Sequence, residues 1–323
     1  MSDGQGNIEI PAERDGPALD RLAGRAKVVL AAAYPGWRGE LAAIGQGFEA
    51  AVFRIDLPPF GTVAIKAPWR RFPGGGYGTH IDCRALLRQE QAMAGWAADC
   101  GLPAATPHAL HESDAQDLLI SAYVDGDDLP PDPIGFGALL RTLHEAPPPD
   151  IVPVVHGRSG DLRTAIAARI LERLDRVEAL TGERLLEDRS WLDADALRTA
   201  LPEGPRALLH MDFRPANLRC RDGRITAVLD WSNAAIGDPA FELARMHEAG
   251  TLTEAVLDGY GDRDWAAQVP PAALAAYHLD AALMFAIVFR IGEPDPARAD
   301  RMTARARTLL AGLRAALGAQ GSS

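Results

Sequence analysis

The pattern of apolar and polar positions opens with a helical period and then changes. Leu19, Leu22, Ala23, Ala26, Val29, Leu30 and Ala33 recur at helical spacing, which predicts an amphipathic helix over residues 17–34 with Pro17 in its first turn. Phe53, Ile55 and Leu57 then alternate with Arg54 and Asp56; Pro58-Pro59 and Gly61 punctuate the chain before a second strand at 62–66. Residues 68–80 read as a loop, 83–100 as a helix stopped by Gly101 and Pro103, and 118–124 as an apolar strand closed by Asp125-Gly126-Asp127-Asp128. That acidic turn marks the expected boundary between a mixed α/β lobe over 17–124 and a mainly helical lobe over 125–317, with flexible tails at 1–16 and 318–323. Helical patterns recur near 134–145, 161–180, 193–200, 239–249, 270–291 and 296–317. Residues 206–230 interrupt them and read as short strands around a loop, with a turn at Asp222-Gly223.

Composition narrows the function classes. In 323 residues, 33 Lys+Arg stand against 44 Asp+Glu, a net charge of −11 that argues against a sequence-blind nucleic-acid binder. With 47% hydrophobic and 24% charged residues, wholesale disorder is excluded. Cys83, Cys100 and Cys220 make no even framework and no metal spacing, and the N-terminal stretch has no apolar signal core, so a reducing, cytoplasmic setting is expected. The longest apolar stretch, 279–289, is too short to span a bilayer and contains Asp280; a buried helix and no membrane partner are expected there.

The strongest chemical signal is the run from His210 to Asn217, HMDFRPAN, followed by Asp230 at the end of an apolar strand. Charges at the ends of buried strands need a reason, because an unpaired one is costly. A hairpin over 218–229 is expected to return Asp230 towards Asp212 and Asn217, grouping two carboxylates and an amide oxygen. Hard oxygen donors such as Asn217 and Asp230 suit Mg²⁺, which prefers to share its shell with phosphate. Asp212 is then left to accept a proton from, or orient, an attacking hydroxyl. His210 reads as a core histidine; no further histidine cluster accompanies it to suggest zinc.

The first lobe supplies a second half. Gly45, Gln46, Gly47 and Phe48 form a glycine turn entering a strand, where missing Cβ atoms let backbone amides approach phosphate oxygens; a plain hairpin turn has the same look. No GK[ST] follows, so this is not a Walker loop. Lys66 ends an apolar strand, and Glu90 falls on the apolar stripe of the next helix with Leu86, Leu87, Met93, Ala94 and Ala97. A carboxylate on a buried face calls for a cation, and Lys66 is the natural partner, ahead of Glu112 or Asp82 as rival acids.

The order glycine loop, Lys66, Glu90, apolar strand, HxDxxxxN and Asp230 is that of the protein-kinase-like fold. More narrowly, the chain resembles the aminoglycoside phosphotransferase family and its choline-kinase-like relatives, above all in HMDFRPANL and VLDWSNAAIGDPAFELAR. Asp230-Trp231 replaces the Asp-Phe-Gly of protein kinases, Glu242 stands where the family usually has Asp, and no Ala-Pro-Glu segment follows. The resemblance implies an α+β, bilobal fold with an N-terminal antiparallel sheet lobe and a larger, mainly helical C-terminal lobe. It implies ATP or GTP with its base on the backbone of Ala122, Tyr123 and Val124, and its phosphates on Gly45, Gln46, Gly47, Phe48 and Lys66, the last held by Glu90. It further implies Mg²⁺ on Asn217 and Asp230, the acceptor hydroxyl on Asp212, and Asp238 bracing the catalytic loop. Arg214 either contacts the γ-phosphate or pairs with an acid. The acidic chain and the resemblance together favour a cationic amino-sugar acceptor and a role in antibiotic resistance; an amino alcohol, sugar or homoserine-like hydroxyl is the alternative, and Asp125, Asp127 and Asp128 after the hinge either attract a cationic acceptor or form a solvated turn with a helix N-cap. Arg70-Arg71 with Gly74-Gly75-Gly76 is either a second phosphate clasp or a solvated insertion. Oligomeric state carries no signal.

Overall fold

The computed structural model describes residues 16–72, 82–127, 129–156, 160–203 and 207–320; Gly74, Gly75, Gly76, Asp128 and the outer tails at 1–15 and 321–323 lie outside these. The chain forms two compact units, residues up to 127 with 226–232, and residues 128–225 with 233–323.

The first unit holds α1 (Gly16–Ala33), β1 (Ala42–Gln46), β2 (Ala50–Leu57), β3 (Gly61–Pro68), α2 (Cys83–Asp99), β4 (Pro107–His111) and β5 (Leu118–Ala122). Its five strands form one antiparallel sheet in the order β1-β2-β3-β5-β4. The period of two puts Ala51, Phe53, Ile55 and Leu57 of β2 and Val63, Ile65 and Ala67 of β3 into one core with Leu22, Ala26, Val29 and Leu30 of α1. Phe53 pairs with Ile65 and Val52 with Lys66, so Lys66 emerges on the face away from that core. The sequence pattern missed β4, an edge strand whose five residues are all half-buried and therefore show no alternation.

The second unit holds α3 (Pro133–Glu145), α4 (Leu162–Thr181), α5 (Ala194–Ala200), β6 (Ala207–Leu209), β7 (Leu218–Arg221), the start of β8 (Arg224–Val228), β9 (Ala235–Gly237), α6 (Pro239–Ala249), α7 (Glu254–Tyr260), α8 (Pro271–Ile287) and α9 (Pro296–Gln320). Asp132, Asp161, Asp193, Asp238 and Thr253 cap the first turns of α3, α4, α5, α6 and α7 through their side-chain oxygens. The cap of α3 is thus Asp132, while Asp125 and Asp127 are exposed. Asp222 and Gly223 both take positive φ, 52° and 74°, which turns β7 into β8 as expected.

Helix α8 packs against α4, α6 and α9. With its π-helical continuation Val288–Gly292 it is long and apolar enough by length and composition to cross a membrane, yet 72% of its most apolar window is buried. Asp280 in its middle is 1% exposed and pairs with Arg169 and Arg173 of α4, which fits the expectation of a core helix. Two details depart from the sequence pattern. Helix α7 was not anticipated, being only 7 residues long; α9 runs on to Gln320, into the expected tail.

Helices α3 and α7 meet backbone to backbone. A Cβ on Gly137 would lie 2.0 Å from the Val256 carbonyl oxygen, and one on Gly259 would lie 2.0 Å from that of Ile134. Gly137→Ala is therefore expected to cost about 2–3 kcal/mol, read as a lower urea midpoint with an unchanged slope. Gly312→Ala, whose Cβ would meet nothing within 4 Å, should instead stabilise α9 slightly; equal effects of the two changes would refute this packing account.

Candidate functional site

In the first unit the site is built around one ammonium. Lys66 Nζ donates to Glu90 Oε2 at 2.6 Å and to Asp230 Oδ1 at 2.8 Å. The expected Lys66–Glu90 pair is present, and the rivals are engaged elsewhere: Glu112 with Arg88, Asp82 with Arg71 and the first turn of α2. Burial favours a neutral amine, but the charges of Asp230 and Glu90 outweigh it and hold Lys66 above its usual range. Burial pushes Glu90 up to about 7, although Lys66 opposes the shift and Asp230 adds to it. Helix α2 also anchors the segment that carries Asp230, since Gln89 Nε2 donates to the Ser232 carbonyl at 2.7 Å. Asp230 itself takes a φ of 61°, a left-handed backbone rare outside glycine, and accepts from Ser232 Oγ at 2.6 Å.

Gly45 and Gln46 end β1, and Gly47 and Phe48 form the turn into β2, with the Gly47 amide donating to the Ala50 carbonyl at 2.8 Å. Neither glycine has a positive φ, and added Cβ atoms would meet nothing nearer than 3.9 Å at Gly45 and 3.6 Å at Gly47. The turn itself therefore has no need of glycine. At the end of β5 the Ala122 amide donates to Thr106 and the Tyr123 amide to Thr62. Among the described residues, of the three amides proposed for a nucleotide base only that of Val124 is left to donate. Arg71 forms a bidentate pair with Asp82 rather than closing a described clasp, and Gly74, Gly75 and Gly76 lie outside the described residues.

In the second unit Asp212 lies in the loop after β6. Asn217 Nδ2 donates to Asp212 Oδ2 at 2.7 Å and to its carbonyl at 2.9 Å, so the Asn217 amide presents its oxygen away from Asp212. Arg214 Nε donates to the same Oδ2 at 3.2 Å, which settles its described partner as an acid. Asp212 Oδ1 faces Arg245 of α6 at 3.7 Å. His210 is fully buried and accepts from the Asp212 amide at 3.3 Å, as expected of a core histidine.

The brace of this loop differs from expectation. Asp238 caps α6 and accepts from Tyr277 Oη at 3.1 Å, whereas Glu242 takes the loop's own amides: His210 N at 2.9 Å and Met211 N at 2.5 Å. Met211 needs that hold, since its φ is 63°. His144 of α3 meets Glu242 Oε2 at 3.0 Å. Burial opposes the charge of Glu242, but His144 and the charge and amide of His210 outweigh it and keep the carboxyl below its usual range. Glu242 was readable in principle: it is a charge between Phe241 and Leu243 on the buried face of α6, the same signal that marked Glu90. Arg245, Arg169 and Arg173 were missed because a cation on an exposed-looking helix stripe carries no such contrast.

A sequence model of the phosphotransferase enzyme family matches residues 40–277. Hygromycin-B 4-O-kinase of Escherichia coli is 49% identical over 41 residues, a stretch that is 13% of this chain and spans only 12% of that protein's length. Among solved structures, a thermostable mutant of an aminoglycoside phosphotransferase in ternary complex with AMP-PNP and hygromycin B superposes with a TM-score of 0.58 at 17% identity, covering 88% of this chain and 97% of the other. A choline/ethanolamine kinase family protein from Mesorhizobium loti gives 0.56 at 20% identity over 93% and 99% of the two chains. A putative fructosamine-3-kinase from Haemophilus somnus 129PT gives 0.63 at 14% identity over 92% and 99%. These likenesses establish the kinase-like fold.

Glu242 has a pH signature. Its pKa is depressed from 4.5, so its contribution to stability is present above that value and is lost as the pH falls through the folded-state pKa. Acidification below about 4.5 should therefore destabilise the wild type more steeply than Glu242→Gln. At neutral pH Glu242→Ala should cost about 3 kcal/mol, because it orphans two buried amides. Parallel stability-against-pH curves for wild type and Glu242→Gln would remove the brace.

Proposed function

Because the chain belongs to the phosphotransferase enzyme family, with an alcohol group as acceptor, we propose that it is a small-molecule kinase that moves the γ-phosphoryl group of ATP, or of GTP, to a hydroxyl of a small acceptor. The observation that carries this reading is Lys66 held between Glu90 and Asp230, a preset cation on the sheet face opposite the core. In this reading Gly45, Gln46, Gly47, Phe48 and Lys66 receive the phosphates, and the Val124 amide receives the base. The residues fit Mg²⁺ by donor chemistry: the oxygens of Asn217 and Asp230 would hold it, and when bound it supplies a Lewis acid against phosphate charge.

The chain's own residues do the rest. Asp212 Oδ2 is occupied by Asn217 and Arg214, which leaves Oδ1 to take the acceptor hydroxyl. The hydroxyl proton passes to Asp212 as the acceptor oxygen bonds to the γ-phosphorus; the bond from that phosphorus to the bridging oxygen breaks, and the nucleoside diphosphate leaves with the bridging electrons. Most of the acceleration is positioning and electrostatics, since Asn217 and Glu242 fix the loop before substrate arrives.

Two acceptor classes follow from different observations. The stretch shared with hygromycin-B 4-O-kinase supports an aminoglycoside-like acceptor. The guanidinium groups beside Asp212 support a metabolite hydroxyl instead.

Nucleotide consumption with Mg²⁺, products read by mass, tests the reading over a panel of hydroxyl acceptors. Asp212→Asn is expected to keep nucleotide binding and lose about 1,000-fold in kcat. Lys66→Met should lose about 100-fold in kcat/KM. Near-normal transfer by the Asp212 variant would remove the catalytic assignment, and unchanged kcat/KM in the Lys66 variant would remove the role of Lys66.

A further inference from the structure

The glycine turn of the first unit is gripped by a side chain that the transfer chemistry above does not use. Trp69 follows the end of β3, and its ring packs against the core shared by the sheet and α1. Its Nε1 donates to the Gly47 carbonyl at 3.0 Å, and its backbone amide donates to the Glu49 carbonyl at 2.9 Å. Tryptophan suits this place because it offers a large apolar ring to pack and one N–H donor at the ring edge. Trp69 is itself held. Buried Gln116 donates from Nε2 to the Pro68 carbonyl at 2.7 Å, while Arg25 of α1 donates from Nε to Gln116 Oε1 at 3.0 Å and from Nη2 to the Trp69 carbonyl at 3.4 Å.

The turn needs a hold from outside. Its last ladder pair is Gln46 with Ala51, and beyond it the Gly47 amide donates to the Ala50 carbonyl. Glycine restrains its own dihedral angles least of all residues, so a turn with Gly45 and Gly47 is loose unless its peptides are bonded. A trans peptide directs its C=O and N–H to opposite sides. With the Gly47 carbonyl on the indole, the plane of the peptide joining Gly47 to Phe48 is set, and with it the direction of the Phe48 amide. Without that bond the peptide is freer to rotate, and a turn that its ligand must order binds that ligand more weakly.

We propose that Trp69 is a positioning residue for the nucleotide phosphates: its indole N–H holds the turn at 45–48 in the shape that receives them. This rests on the kinase reading, in which that turn is the phosphate site. The effect is selective, since it bears on groups beside the turn and not on a base bound past the end of β5.

Trp69→Phe keeps an aromatic ring and removes the donor, and Trp37→Phe is its matched control. Trp37 packs against the same core and donates from Nε1 to the Asp56 carbonyl at 3.0 Å, at the far end of β2 from Ala50. Both variants are expected to lose a similar, small amount of stability in urea. Only Trp69→Phe should weaken binding of AMP-PNP with Mg²⁺, by about 5-fold, as the net loss of one hydrogen bond gives. It should leave the affinity for adenosine, which has no phosphates, unchanged; GMP-PNP and guanosine are run beside them. Independently of nucleotide, amide hydrogen exchange over 45–50 should quicken about 5-fold in Trp69→Phe and stay as in the wild type in Trp37→Phe. Unchanged AMP-PNP affinity, equal weakening of AMP-PNP and adenosine, or the same response in both variants overturns the role of Trp69 and leaves the kinase reading standing. Failure of the wild type to bind either nucleotide falls on the kinase reading itself.

Discussion

A single ammonium between two carboxylates organises the first unit. Lys66 joins β3 to α2 through Glu90 and to the segment 226–232 through Asp230. Glu90 alone would be a buried carboxylate with no counter-ion, and the half-exposed Asp230 competes for the same cation; together with the lysine they are tolerable, although one cation cannot fully satisfy two acids. That incomplete balance explains why burial pushes Glu90 up to about 7. It also leaves the lysine charged and fixed in direction.

The second unit solves a different problem by similar means. The loop carrying Asp212 is bent by a left-handed Met211, a conformation that costs free energy unless its amides are held. Glu242 holds two of them and is itself held by His144, so helices α3 and α6 set the geometry of a loop whose Met211 and Phe213 are also buried, the latter against Phe136 of α3.

Electrostatics near Asp212 is local. The chain is acidic overall, yet Arg214 and Arg245 flank Asp212. Screening over about 8–10 Å makes distant surface charge a weak guide to what a site accepts.

The sequence by itself determined the element types and most of their extents, because apolar periods of 3.6 and 2 report which face of a local segment is buried. It also carried the candidate site residues, since Asp212 and Asn217 stand in one polar run and Asp230 ends an apolar strand. Glu90 was legible for the same reason, as a charge within an apolar stripe. The charge partnerships were decided only in the tertiary structure. Asp230 meets Lys66 from 164 positions away, and Asp280 meets Arg169 from 111. Glu242, not Asp238, took the loop amides, a choice set by one turn of helix. Periodicity is a property of neighbours along the chain, whereas the energy of a charge depends on distances through space, which exist only once the chain has folded.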